Sequence, residues 1–157
     1  QVLTTLGVAL VAAGSSPVWA AGAVLPAPLS LTDELEKALT SGNPLVIMVS
    51  LEGCPFCRVA RDSYLEPMRR QDGMPVFQID MRKPNLVRDF TGASLTHDQL
   101  VQAWCVTIAP TVLFFGPRGK EIAPRMEGGY IADFYGAYLD QRIEQARSAI
   151  KAAKATL

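Results

Sequence analysis

The run Leu45-Val46-Ile47-Met48-Val49-Ser50, leading through Leu51-Glu52-Gly53 into Cys54-Pro55-Phe56-Cys57, limits what this chain can fold into more than any other stretch. An unbroken apolar run rich in β-branched residues suits a strand buried on both faces, as in the middle of a parallel sheet. From Pro55 onward the pattern turns helical, and proline in a first turn gives up only an N–H that has no helical partner. Cys54 is therefore expected at the mouth of a helix, facing unpaired amides and the positive end of the helix dipole. A thiolate is favoured in such a place, which makes Cys54 the expected nucleophile. Cys57 follows one turn on, within reach of a disulfide with it. Strand, Cys-x-x-Cys, helix is a sequence suited to redox chemistry.

The chain's 157 residues correspond to one domain, long enough to bury a core without covalent staples. Fifteen Lys and Arg balance fifteen Asp and Glu, so no basic surface for nucleic acid is indicated. Three cysteines are too few for a disulfide scaffold, and Cys105 is left over once Cys54 and Cys57 have paired. Zinc would need Cys105 and His97 as further ligands, and their spacing lacks the second paired motif of structural zinc sites. A purely structural Cys54–Cys57 bridge closes so small a loop that it removes little entropy from the unfolded chain.

No charged residue precedes Asp33. Val2 to Ala13 is a short apolar segment, Gly14-Ser15-Ser16-Pro17 breaks it, and Val18-Trp19-Ala20 supplies a small-x-small pattern. Residues 1–20 accordingly read as a signal peptide cut after Ala20, with an uncleaved anchor or a disordered tail as the alternative. Secretion places the protein in an oxidising, extracytoplasmic compartment, periplasmic or secreted, with no stable membrane insertion after cleavage. Residues 21–30, with Pro26 and Pro28, become a flexible mature N-terminus, and 31–157 the folded domain.

Within that domain helix and strand alternate. Ser30 or Thr32 caps a short helix that Ser41-Gly42-Asn43-Pro44 ends. The helix carrying the cysteines runs to about Arg70, with a kink or early break expected at Pro67. Pro75 to Met81 is a second strand, parallel to the first through a right-handed βαβ connection. Arg82 to Leu95 reads as an irregular polar insertion. Thr96-His97-Asp98-Gln99 is a capping box opening a third helix, which puts His97 on the surface of a first turn. Trp104 is read as packing at that helix's end, and Cys105 as a small buried residue. Pro110 to Phe115 is a strand, Gly116 to Gly119 a turn, and Lys120 to Met126 its hairpin partner. After Gly128-Gly129 comes a final helix with a buried stripe of Tyr135, Leu139, Ile143, Ala146 and Ile150. Arg58 and Arg61 beside the thiols read as a solvated helix face, with added positive potential as the second reading.

The order β-α-β-α-β-β-α with Cys-x-x-Cys after the first strand resembles the thioredoxin superfamily from about Pro44 to Lys151. The middle of Cys54-Pro55-Phe56-Cys57 is similar to glutaredoxins, while the surrounding chain looks more like bacterial periplasmic thioredoxin-like proteins. The segment Trp104-Cys105-Val106-Thr107-Ile108-Ala109-Pro110-Thr111, about 50 residues on, looks like the family's third core strand opening on a cis-proline beside the active disulfide. The resemblance implies a thioredoxin-like α/β fold with a central mixed four-stranded sheet flanked by helices. It implies Cys54 and Cys57 as the catalytic pair and Pro110 as the cis-proline. Ala109 would offer its backbone to a substrate peptide, with Pro55, Phe56 and Gly128 bordering the site. Thioredoxins carry Trp just before the first cysteine, where this chain has Glu52-Gly53, and a buried carboxylate where it has Met48. Both departures point away from cytosolic protein-disulfide reduction, toward a potential less negative than thioredoxin's, about −270 mV.

These observations together imply an extracytoplasmic thiol–disulfide oxidoreductase working on protein or small thiol substrates. It needs no cofactor beyond its cysteine pair and no metal, meets a redox partner protein, and is expected as a monomer. The rival expectation is a redox-inactive binding module of the same fold, holding a partner in the groove near Pro110.

Overall fold

In the computed structural model, which describes residues 24–129 and 132–156, the chain runs α1 (Leu31–Thr40), β1 (Leu45–Ser50), α2 (Pro55–Ala60), α3 (Glu66–Asp72), β2 (Val76–Asp80), β3 (Leu86–Arg88), β4 (Ser94–Thr96), α4 (His97–Ala103), β5 (Thr111–Gly116), β6 (Lys120–Glu121), β7 (Met126–Glu127) and α5 (Tyr135–Ala155). The expected signal peptide over 1–20, and the start of the segment after it, lie outside the described residues.

Among the described residues five strands form one mixed sheet, ordered β2-β1-β5-β6, with β7 also paired to β5. β2 runs parallel to β1 and β5 antiparallel to it. β1 and β5 are buried throughout, as their unbroken apolar runs require. Alternation sorts the side chains into two cores. Val46, Met48, Val76, Val112 and Phe114 pack on one face with Cys57 and the stripe of α5. Leu45, Ile47, Val49, Ile79, Leu113 and Phe115 pack on the other with α1 and α4. Each fully buried aliphatic side chain contributes about 1.5–3 kcal/mol, so the two cores hold the sheet from both sides. The stripe of α5 is buried as its spacing predicts, and Trp104 packs on Phe115 at a ring separation of 5.2 Å.

Several expectations are corrected by this packing. From Val24 on, the segment expected to be flexible is tied down: Leu25 is buried, and Pro26 O accepts the Gln78 amide at 2.9 Å. β2 is the edge strand, so its outward amides need partners, and the N-terminal segment supplies one. The Asp80 amide donates to His97 Nδ1 at 3.1 Å and supplies the other link, which is why His97 is buried rather than on the surface. The helix break expected at Pro67 falls earlier, as a π-helical turn over Arg61–Leu65 in which the Glu66 amide reaches back to Arg61 O. Pro67 has no amide for the carbonyl four residues back, and the helix restarts around it.

The polar insertion over 82–95 contains β3 and forms a hairpin with β4, anchored by buried Val87. The hairpin partner expected over 120–126 is split into β6 and β7, both on β5. Cys105 is exposed, not buried. It takes the left-handed position (φ 53°) closing α4 in a Schellman arrangement: its amide donates to Gln102 O and that of Val106 to Val101 O. The turn sends Cys105 outward and Val106 into the core.

Candidate active site

The turn after β1 decides where the first sulfur sits. Gly53 adopts a left-handed φ of 77°, and the Cys54 amide donates to Leu51 O at 3.1 Å. Cys54 thus becomes the N-cap of α2, with extended backbone, and its Sγ accepts the Cys57 amide at 3.2 Å. A sulfur takes the place that serine or aspartate oxygens fill at other helix starts. Both residues are thiols in this structure; Cys54 is half-buried and Cys57 is 1% exposed. Burial first, and then the hydrogen bond with Cys54, push the Cys57 thiol up from 9.0 to about 11. The Leu51 backbone and the Ser50 hydroxyl, which favour the thiolate, pull the other way.

One flank of the pair is apolar. The Ala109–Pro110 bond is cis, and the Cys54 thiol approaches Ala109 O at 3.8 Å. The loop is held by two bonds: Gly128 N–H donates to Pro110 O at 2.7 Å, and the Thr111 hydroxyl to Ile108 O at 2.7 Å. Ile108 and Phe56 stand 50% and 63% exposed beside the thiol, large apolar groups left facing solvent. Gly129 lies under Phe56 so closely that a Cβ there would come within 2.9 Å of its ring.

The other flank is polar. A cleft of about 420 Å³ is lined by Cys57, Ser50, Gln78, Asp80, Arg58 and Lys83, among others. Gln78 Nε2 donates to Asp80 Oδ1 at 2.7 Å, while Gln78 Oε1 is buried with no partner among the described residues. Lys83 pairs with Glu52 at the rim, which raises the lysine's pKa and lowers the carboxylate's through their hydrogen bond. Arg58 and Arg61 border the same cleft, Arg61 paired with Asp62 at 3.0 Å.

All seven residues expected at the site converge. Pro55 occupies the first turn of α2 on the cleft side. Phe56 and Gly128 lie on the apolar flank, Ala109 O meets the Cys54 thiol, and Pro110 follows through the cis bond and accepts the Gly128 amide. The residues missed are Ser50, Gln78 and Asp80. Their signal was period-two alternation: Ser50 shares a face with Met48, as Gln78 and Asp80 do with Val76. No three His, Cys, Asp or Glu side chains converge on a metal-sized site among the described residues. His97 Nδ1 is engaged by the Asp80 amide, and Cys105 faces solvent.

A dithiol at the N-terminus of a helix after a central strand, beside a cis-proline, defines a thioredoxin-like domain. Residues 31–143 match the thioredoxin-like domain family model, and the chain belongs to that family. Solved structures with this fold include a DsbH oxidoreductase, 18% identical, covering 88% of this chain and 91% of its own, with a TM-score of 0.50. Thioredoxin O2 from Arabidopsis thaliana in its oxidized state is 17% identical over 72% of this chain and 91% of its own, with a TM-score of 0.49. The periplasmic thioredoxin SoxS from Paracoccus pantotrophus is 24% identical over 64% and 96%, with a TM-score of 0.43. At such identities the likeness is one of fold. No curated protein matches the chain.

Proposed function

We propose that this protein is a thiol–disulfide oxidoreductase that exchanges disulfides with protein substrates outside the cytoplasm. The observation that carries the reading is the asymmetry of the pair: a half-exposed Cys54 sulfur caps the helix over a buried Cys57 whose amide it accepts at 3.2 Å. Cys54 attacks a substrate disulfide, joins one substrate sulfur in a mixed disulfide and releases the other as a thiolate. Cys57 then attacks Cys54, the Cys54–Cys57 bond forms, and the second substrate thiolate leaves. Run backward, the same steps oxidise a substrate dithiol. The pair needs no cofactor; a redox partner protein resets it.

The backbone at Ala109 and Pro110 offers the substrate peptide a strand-like contact, with Phe56, Pro55 and Gly128 around it. The extracytoplasmic placement rests on the apolar, breaker and small-x-small pattern of residues 1–20. Among the described residues no helix is long and apolar enough to cross a membrane. Reduction of insulin by dithiothreitol tests the reading. Wild type should accelerate it and Cys54→Ala should not; equal, uncatalysed rates would leave the binding-module alternative standing.

A further inference from the structure

Resolution of the mixed disulfide needs an acceptor for the Cys57 proton, and burial makes that proton hard to lose to solvent. Met48, fully buried beneath the thiols, cannot take it. One carboxylate of the cleft stands on the same face of the sheet. Ser50 and Asp80 are register partners on parallel strands, so their side chains emerge side by side on the face covered by the cysteine helix. Ser50, 3% exposed, lines the same cleft as Cys57 and Asp80 and is among the groups that stabilise the Cys57 thiolate. Asp80 is held in place by the 2.7 Å bond from Gln78, whose buried Oε1, without a partner among the described residues, gives the cleft a further acceptor for a bridging water.

We infer that Asp80, reached through the Ser50 hydroxyl, accepts the Cys57 proton as Cys57 resolves the mixed disulfide. The inference rests on the exchange reading above and assigns a role within it. A hydroxyl both donates and accepts, so Ser50 passes a proton on without holding charge. In the step, the Cys57 S–H bond breaks and its proton reaches the Asp80 carboxylate. The Cys57 sulfur bonds to Cys54, and the Cys54–substrate bond breaks with its electron pair leaving on the substrate thiolate. The two protein sulfurs are oxidised, the substrate disulfide has been reduced, and Asp80 returns its proton to cleft water.

The charges around Asp80 fit this role. Lys83 on the following loop and His97 from α4 both feel the carboxylate. Glu52 neutralises Lys83 across the rim, and Arg58 and Arg61 border the cleft from the cysteine helix and the turn after it.

Single-turnover reaction with the chromogenic disulfide dithiobisnitrobenzoate separates the two steps. In a Cys105→Ser background, which removes the exposed third thiol, attack by Cys54 releases one coloured thiolate in a bimolecular phase, and resolution by Cys57 releases a second in a unimolecular phase. Asp80→Asn keeps an acceptor for Gln78 but cannot take the proton. Positioned proton acceptors contribute about 10²–10⁴-fold, and cleft water competes here, so the second phase should slow roughly 10- to 100-fold at neutral pH. The first phase should change far less. The second phase should also gain a steeper dependence on pH, Asp80→Glu should restore part of its rate, and Ser50→Ala should slow it by a comparable factor. A wild-type second phase in Asp80→Asn, or equal slowing of both phases, overturns the inference. A wild type with no first phase would instead remove the exchange reading.

Discussion

Cys57 and His97 are buried to nearly the same degree, 1% and 2% exposed, at the same end of the sheet and on opposite faces of it. Burial moves both toward neutrality, raising the thiol and lowering the imidazole. Their surroundings differ. The imidazole closes the edge of β2, its Nδ1 occupied by the Asp80 amide. The thiol lies beside Cys54 on one side and a polar cleft on the other. Burial alone therefore does not mark a group for chemistry. A buried group becomes reactive where the fold leaves it a partner to attack and a route for its proton. Asp80 joins the two cases, offering its backbone to His97 and its side chain to the cleft.

The largest effect should come from dividing the two sulfurs. With Cys57→Ala the mixed disulfide on Cys54 has no resolving thiol, so substrate adducts should accumulate in extracts resolved without reductant. With Cys54→Ala, made like its counterpart in a Cys105→Ser background that removes the exposed third thiol, the remaining thiol is buried, and adducts should be nearly absent. Equal trapping by both variants would place the nucleophile wrongly and erase the contrast.

Next in size is the alkaline flank of stability. A thiol raised from 9.0 to about 11 stays protonated in the fold while the unfolded chain ionises. The native state then binds more protons between those values, so stability is full below 9.0 and falls as pH rises toward 11. At about 1.36 kcal/mol per unit, the loss amounts to about 2–3 kcal/mol. Denaturant unfolding from pH 8 to 11 should show it in reduced wild type and show far less of it in Cys57→Ser. An equal slope in both would mean that other groups govern that flank.

Why the site was legible and its proton route was not follows from the kind of signal each leaves. Cys54, Cys57 and Pro110 are set by local chain: a strand, a turn, a helix start, a proline at a strand mouth. The cleft is set by the register of β1 against β2, which pairs Ser50 with Asp80 across 30 positions of sequence. Alternation told that each faced one side or the other, but not which. His97 failed for a related reason. Its capping box was correct, with Thr96 and Gln99 bonded reciprocally, yet the box says nothing of what the first turn rests on. Cys105 failed because a left-handed helix ending was not expected of a cysteine.

If the cleft handles the proton while the opposite flank holds the partner, the two should separate under mutation. Phe56 exposes most of its ring beside Cys54. A substrate peptide that covers it gains part of the 1.5–3 kcal/mol of a fully buried side chain, so Phe56→Ala should lower kcat/KM for a protein substrate roughly fivefold. Exchange with a small disulfide should hold within a factor of about two by the same area argument. Equal losses on both substrates would show that Phe56 shapes the thiols themselves.

The smallest effect sharpens the comparison from the side of His97. Burial lowers its pKa below the ordinary 6.5, with the Asp80 carboxylate opposing. The fold keeps the ring neutral, because a protonated Nδ1 could no longer accept the Asp80 amide. Below 6.5 the unfolded chain takes up a proton that the native state resists. The unfolded state then binds more protons, so the contribution is full above that pH and is lost as pH falls through the folded value. Thermal unfolding followed from pH 7.5 to 5 should show Tm declining in wild type. His97→Asn, whose side-chain oxygen accepts a hydrogen bond at any pH, should start from a lower Tm and decline less steeply. A variant with the wild-type slope would mean that carboxylates alone set the acid flank. His97 would then be only a shape filling the edge of β2, and the symmetry between the two buried groups would fail on its neutral side.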